Sequence, residues 1–276
     1  MIPRTALALL TVLAAGPSLA QGTPPEVRAL YEALELPGIV EVMAREGEAY
    51  GADLAASLFP GGQAPASWTE GVAAIYDPAR MEAEAIATFT ERLDGEDVAA
   101  MTAFFEAEPG ATFADLELAA REAMLDEDVE QAAKEAAAVA LADEDPRVAL
   151  IRRYADANQI VDTNVTGALN TNFAYFMGLM DGGATGDDLT EGDVLADVQA
   201  QEPQIRADTT EWVYSFLLMA YAPASDEDIE ALIAFSETDA GRALNVALFD
   251  AFDVVFRDIS RELGLASARF MTTQDL

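Results

Sequence analysis

Apolar residues recur at helical spacing along most of this 276-residue chain. Ile39, Met43, Tyr50, Leu54 and Leu58 fall near every 3.6 residues, and so do Val161, Val165, Leu169, Phe176 and Met180. Towards the end, Leu244, Leu248, Ala251, Val255, Ile259 and Leu263 form one stripe, with Asp250, Asp253, Arg257 and Arg261 around it. That pattern predicts a long last helix, with Gly264 as the left-handed residue that ends it. Runs of β-branched residues alternating with polar ones are absent, and alanine, leucine and glutamate, all good helix formers, dominate. The expected fold is all-α, with five or so helices in each half and loops near Ala64-Pro65 and Thr185-Gly186.

The pattern is written twice. Glu96-Asp97-Val98, Met101, Phe104, Glu106 and Gly110 reappear 131 positions later as Glu227-Asp228-Ile229, Leu232, Phe235, Glu237 and Gly241. Phe113, Leu116, Ala120 and Met124 continue the match with Leu244, Ala247, Ala251 and Val255. Earlier in each half the displacement is 121: Ile39-Val40 with Ile160-Val161, Leu58 with Leu179, and Gly61-Gly62 with Gly182-Gly183. One insertion in the polar stretch Ala184 to Gly192 accounts for the difference. A period this long implies tandem units rather than a short-repeat solenoid. The expectation is a duplicated, bundle-like pseudo-twofold: a leader over 1–20, a first unit over 21–145 and a second over 146–276. The alanine-rich Gln131 to Ala142 is predicted to be a helix that carries one unit into the next, ending at the acidic junction Asp143-Glu144-Asp145-Pro146.

The leader changes the expected location. Met1 and Arg4 give a positive start, Ala6 to Ala15 an apolar run, and Ser18-Leu19-Ala20 a small-x-small cleavage site. The run is too short to span a bilayer, and no later segment is long and apolar enough; Trp212 to Tyr221, the richest, reads as a buried helix. No cysteine follows for lipid attachment, and no twin arginine precedes. The expected mature protein starts at Gln21, after cleavage behind Ala20, and is periplasmic.

Composition then removes whole classes of chemistry. The net charge is −35, which repels nucleic acid phosphates and anionic lipid headgroups. Of the fifteen basic residues only Lys134 is lysine, and such a surface stays soluble in salt. There is no cysteine and no histidine, so disulfides, thiolate nucleophiles, imidazole bases and Cys or His metal sites are all excluded. Carboxylates, hydroxyls, arginines and one lysine remain.

Among these the repeated acids Asp97, Glu106, Asp228 and Glu237 invite an acid–base or cation-binding reading. Helix capping accounts for them more simply: Ser225-x-x-Asp228 and Asp94-x-x-Asp97 place a cap followed by an acid at N3, and Glu106 and Glu237 flank an inward Phe and face water. Gly110 and Gly241 are read as left-handed turns between helices. Asp181 to Asp193 resembles a calcium loop but has Gly183 and Thr185 at ligand places and Gly192 where a glutamate belongs. Asn158, Thr163, Asn164, Thr166, Asn170, Thr171 and Asn172 make one helix unusually rich in amides and hydroxyls, either a wet face or the wall of a ligand groove. Trp68, Tyr76, Trp212, Tyr214 and Tyr221 are spaced as core aromatics. None of these is assigned as a catalytic, cofactor or metal residue.

Trp68, Ile75-Tyr76, Asp94 to Val98, Phe104-Phe105 and Gly110, with the partial second copy Ser225 to Ile229, Phe235 and Gly241, resemble the bacterial exported family called domain of unknown function 2059. The family's Ser-Pro before the glycine is replaced by Ala107-Glu108 and Thr238-Asp239. The resemblance implies a secreted helical fold in two degenerate copies and carries no activity and no site residue. The expected function is a non-catalytic module that binds an envelope protein; the alternatives are a carrier or chaperone-like cradle for a small apolar ligand and a carboxylate-dependent hydrolase. A solid core with an apolar patch would favour the first. An apolar cavity lined by Trp212, Phe216 and Phe176 would favour the second, and two facing carboxylates in a dry cleft the third.

Overall fold

The computed structural model describes residues 22–59, 61, 63–186 and 188–274, with side chains up to Met271; the predicted leader, residues 1–20, lies outside them. Every regular element among the described residues is an α-helix: α1 (Pro25–Ala33), α2 (Leu36–Leu58), α3 (Ala66–Ile75), α4 (Pro78–Arg92), α5 (Val98–Phe105), α6 (Gly110–Ala123), α7 (Glu127–Ala142), α8 (Pro146–Ala157), α9 (Ile160–Asp181), α10 (Glu191–Ala200), α11 (Glu202–Ala220), α12 (Asp226–Ser236) and α13 (Asp239–Gln274). The all-α expectation therefore holds. No described helix is long and apolar enough to cross a membrane.

The chain's own chemistry sets the helix starts. Proline occupies the first turn of α1, α2, α4, α8 and α11, where its missing N–H costs nothing. Side chains of Asp77, Asp97, Asp126 and Asp145 cap α4, α5, α7 and α8. Thr190 with Asp193 and Ser225 with Asp228 close capping boxes on α10 and α12. Asp97 is itself the cap, accepting from the Ala100 N–H at 3.1 Å, rather than the N3 acid behind Asp94, because Gly95 turns the chain at φ +83° just before it. Acids placed this way face the positive end of a helix dipole, which absorbs part of the negative charge.

Helix order and packing run in parallel in the two halves. In the first, α1 packs on α2 and α5, α2 on α3, α4 and α6, and α5 on α6. In the second, α8 packs on α9 and α12, α9 on α10, α11 and α13, and α12 on α13. The sixth helix of each half also crosses to the other half: α6 packs on α11, and α13 on α4. One core joins Val27, Leu30, Phe89 and Met101 of the first half to Leu244, Ala247 and Ala251 of α13. Another joins Ile151, Leu217, Ile229 and Leu232 of the second half to Phe113 and Ala120 of α6. Phe104 and Phe235 stack on each other, centroids 4.1 Å apart and 7° from parallel. α7, predicted from Gln131, begins at Glu127 and packs along α11.

Two sequence expectations change. The 121-residue displacement does not extend into the second helix pair. Val27 with Val148 and Leu30 with Ile151 are buried at that spacing, but α2 and α9 start 124 residues apart, each behind a left-handed residue, Glu35 and Gln159. α8 is twelve residues long against nine for α1, and the extra three residues, about 300° of helix, leave the apolar face only about 60° out of register. Gly264 does not end α13 but lies inside it, where α9 and α13 form the most extensive helix pair. A Cβ on Gly264 would lie 2.1 Å from the Tyr175 carbonyl oxygen, and one on Gly178 would lie 2.2 Å from that of Arg261. Backbone contact, not chain reversal, requires glycine there.

Between α4 and α13, Glu84 and Asp258 approach each other beside the Arg80–Glu262 ion pair, whose oxygen and nitrogen are 2.6 Å apart. Burial, then a hydrogen bond and charge from Asp258, push the Glu84 carboxyl up from 4.5 to about 7, with Arg80 opposing. Between those values the folded protein holds a proton that the unfolded chain releases, so stability falls as pH rises through that window. Glu84→Gln is expected to raise Tm by about 2–4 °C at pH 8, where a half-exposed carboxylate retains about 1 kcal/mol of repulsion, and to leave it unchanged at pH 4. Thermal unfolding at the two pH values checks this, and an equal shift at both would exclude the shared proton.

Candidate functional site

The second half's helices meet the first half around a cleft of about 660 Å³ that is partly open to solvent. Its floor and walls come from the Leu34–Met43 corner of α1 and α2, from α6, and from α8, α9, α11 and α13. A space of this size has room for roughly 20 waters or a ligand.

The wall is largely apolar and includes the rings of Tyr154, Trp212, Phe216, Phe249, Phe252 and Phe256. α13 turns one stripe into the core (Leu244, Ala251, Val255, Ile259) and a neighbouring one, with Leu248, Phe249, Phe252 and Phe256, into the cleft. α11 divides likewise. Ala220 and Tyr221 are buried in a core, whereas Trp212 and Phe216, one turn apart, stack at 5.2 Å and line the cleft with the buried Val213 and Leu217. Trp212 to Tyr221 is apolar nearly all round because one face meets a core and another meets this cleft.

The amide-rich helix supplies the polar side. Thr163, Asn164, Thr166, Asn170 and Thr171 of α9 line the cleft, together with Gly167. Asn170 donates to Asp253 at 2.9 Å, Asn164 to the Ile160 carbonyl at 2.8 Å, and Thr166 to that of Asp162 at 2.9 Å. Asn158 is buried behind it, donating to Ser236 at 3.1 Å while its carbonyl accepts from Asn245 at 2.9 Å. Asn172 faces away and reaches Gln201 at 3.4 Å.

At the inner end sits Glu117 of α6. It accepts a hydrogen bond from the Tyr221 hydroxyl, and Tyr154 lies edge-on to the Tyr221 ring at 5.5 Å. Glu117 is half-buried and lines the cleft. Burial pushes its carboxyl above the usual range, and the Tyr221 hydrogen bond offsets part of that. Burial, with the Glu117 charge second, raises both tyrosines. One turn along α6, Arg121 donates to Glu46 at 2.7 Å and lies 5.9 Å from the Trp212 ring, while its buried Nε has no partner.

The other sequence candidates have structural employment. Glu106 and Glu237 are exposed C-caps of α5 and α12. Asp181 pairs with Arg261 (Nε at 3.1 Å), and Asp193 belongs to the α10 capping box. Among the described residues no group of three or more His, Cys, Asp or Glu is placed to hold a metal ion. Trp68, Tyr76 and Tyr221 are buried core aromatics, with the Trp68 indole donating to the Gly51 carbonyl at 3.0 Å. Trp212 and Tyr214 are only half-buried. Phe176 does not line the cleft; the phenylalanines of α13 stand there instead. A shallower and more open hollow, between α1 and α6, carries Glu32, Glu35, Glu106 and Asp115 and has no comparable apolar wall.

Glu117 and Tyr154 were not candidates in the sequence. One signal existed: Glu117 corresponds at the 131 displacement to Leu248, so one copy carries a carboxylate where the other is apolar. Both line the cleft. No known protein family, curated protein or solved structure matches this chain.

Proposed function

We propose that this protein binds a small amphipathic molecule in the cleft between its halves and acts as a non-catalytic carrier. The observation that supports this is the cleft itself: about 660 Å³, inside the range of small-molecule sites, with largely apolar walls and a few convergent polar groups. Such a cleft favours the carrier over a module that presents only its outer surface. The hydrolase reading needs two free carboxylates facing a reacting bond. Asp253 is held by Asn170 at 2.9 Å, and Asp250 by Arg92 at 2.9 Å.

The proposal includes export, with the leader removed behind Ala20 so that the carrier works in the periplasm, and kinship with the unknown-function family 2059. It also includes internal duplication as the origin of the site. Parallel helix order, the reciprocal crossing of α6 and α13 and the Phe104–Phe235 stack support duplication. The cleft then lies where two once-equivalent halves meet, and the α9 amides mark where the second copy diverged.

Titration with N-phenyl-1-naphthylamine, a neutral apolar fluorophore, tests the carrier. Its emission should rise and saturate at one probe per chain, and Trp212, on the cleft wall, should be quenched in parallel. Trp68 does not line the cleft, so Trp212→Phe should remove most of the quenching but not the probe signal. A folded protein with no saturable enhancement would sink the reading.

A further inference from the structure

We propose that the cleft selects a ligand with a cationic, amine-type head, which is held by Glu117 at the inner end while its apolar body lies along the apolar wall. This rests on the carrier reading and names the ligand class for the same site. The argument starts from what Glu117 lacks. It is a partly buried carboxylate on the cleft wall, its only hydrogen-bond donor among the described residues is the Tyr221 hydroxyl, and no arginine or lysine pairs with it. Arg121, one turn away on the same helix, is turned to Glu46 and the Trp212 face.

A partly buried acid without a cation is costly, and it either holds its proton or awaits a partner. Here it faces a cleft large enough to admit that partner. The Tyr154 ring, in the same lining, suits a cation, since aromatic quadrupoles attract positive charge. An anionic head would meet Glu117 inside and Asp250 and Asp253 along the wall. The protein's overall charge of −35 enriches cations at the opening but cannot orient them; the single inner carboxylate does.

The test uses the full mature chain loaded with N-phenyl-1-naphthylamine, in about 0.3 M salt so that the long-range field is screened. Three displacers share one chain length: decylammonium, decanol and decyl sulfate. Decylammonium is expected to displace the probe at a concentration at least about ten-fold below decanol, and decyl sulfate to be the weakest. Glu117→Gln, which keeps an acceptor for Tyr221, should lose most of the ammonium preference, read as the ratio of decylammonium to decanol displacement within the same variant. A second measurement needs no variant. Wild-type affinity for decylammonium, but not for decanol, should rise with pH as Glu117 gives up its proton, with Tyr154, Tyr221, Arg121, Asp250 and Asp253 as the other ionisable groups facing it. Decylammonium no better than decanol, or a preference that survives in Glu117→Gln, overturns the assignment and leaves the carrier reading standing. Failure of the neutral probe to bind overturns both.

Discussion

Gly110→Val and Gly241→Val are each expected to cost about 3 kcal/mol, read as a fall in the chemical denaturation midpoint. The two glycines open α6 and α13, and neither has a positive φ, so the left-handed turn expected from the sequence is not what selects glycine. Close approach is. A Cβ on Gly110 would lie 2.1 Å from the Phe104 carbonyl oxygen, and one on Gly241 would lie 2.2 Å from that of Phe235. Both obstacles are backbone atoms, which cannot rotate away. The cause can be separated from the discarded one. If conformation mattered, asparagine would be tolerated; with a steric cause, Asn and Ala should be destabilising, and valine more so. Gly71→Ala is the control: it is helical, with nothing within 4 Å of its added Cβ, and should gain about 0.5–1 kcal/mol. Because Phe104 and Phe235 stack on each other, the double variant should deviate from additivity by at least about 0.5 kcal/mol. Full additivity would mean the two turns are energetically separate.

Gly167→Phe is expected to weaken N-phenyl-1-naphthylamine binding more than ten-fold while Tm stays level or rises. Gly167 lies in the middle of α9 on the cleft wall, and its nearest foreign atom would be an Asp253 carboxylate oxygen, 4.0 Å from the added Cβ. A phenyl ring there projects into the cleft instead of into backbone. Replacing a mid-helix glycine gains about 0.3–0.5 kcal/mol of propensity, so lost binding cannot be blamed on unfolding. Gly178→Phe, eleven residues along the same helix, makes the opposite forecast: its Cβ would strike the Arg261 carbonyl oxygen at 2.2 Å, and the α9–α13 crossing should fail. Probe affinity in Gly167→Phe within two-fold of wild type would place the binding site outside the cleft.

The sequence by itself determined the helices and their punctuation, because both are local. Apolar residues at 3.6 spacing, prolines at first turns and acids or hydroxyls at caps act within a few residues, so α12 with its Ser225–Asp228 box and the buried stripe of α13 were readable from composition and spacing. The displaced pairs Phe113 with Leu244 and Ala120 with Ala251 are buried in two different cores. Tertiary structure alone decided which half α6 and α13 each serve. Nothing local in α6 or α13 says that it crosses to the other half, since an apolar stripe fits either partner.

The same limit hid the cleft. Trp212 and Phe216 lie on one helix with buried Ala220 and Tyr221, and hydrophobicity does not distinguish a core face from a cavity face. Glu117 reads on α6 as an ordinary acid between two leucines; only the packing of α8, α9, α11 and α13 sets it in a cleft wall with the Tyr221 hydroxyl as its donor. Gly178 and Gly264 are likewise plain helix breakers by propensity, yet they lie inside the longest contact in the fold because two backbones touch there. Spacing fixes what a residue offers along its own helix. What it meets across space depends on how distant segments pack, and in this protein that packing makes both the glycine crossings and the binding cleft.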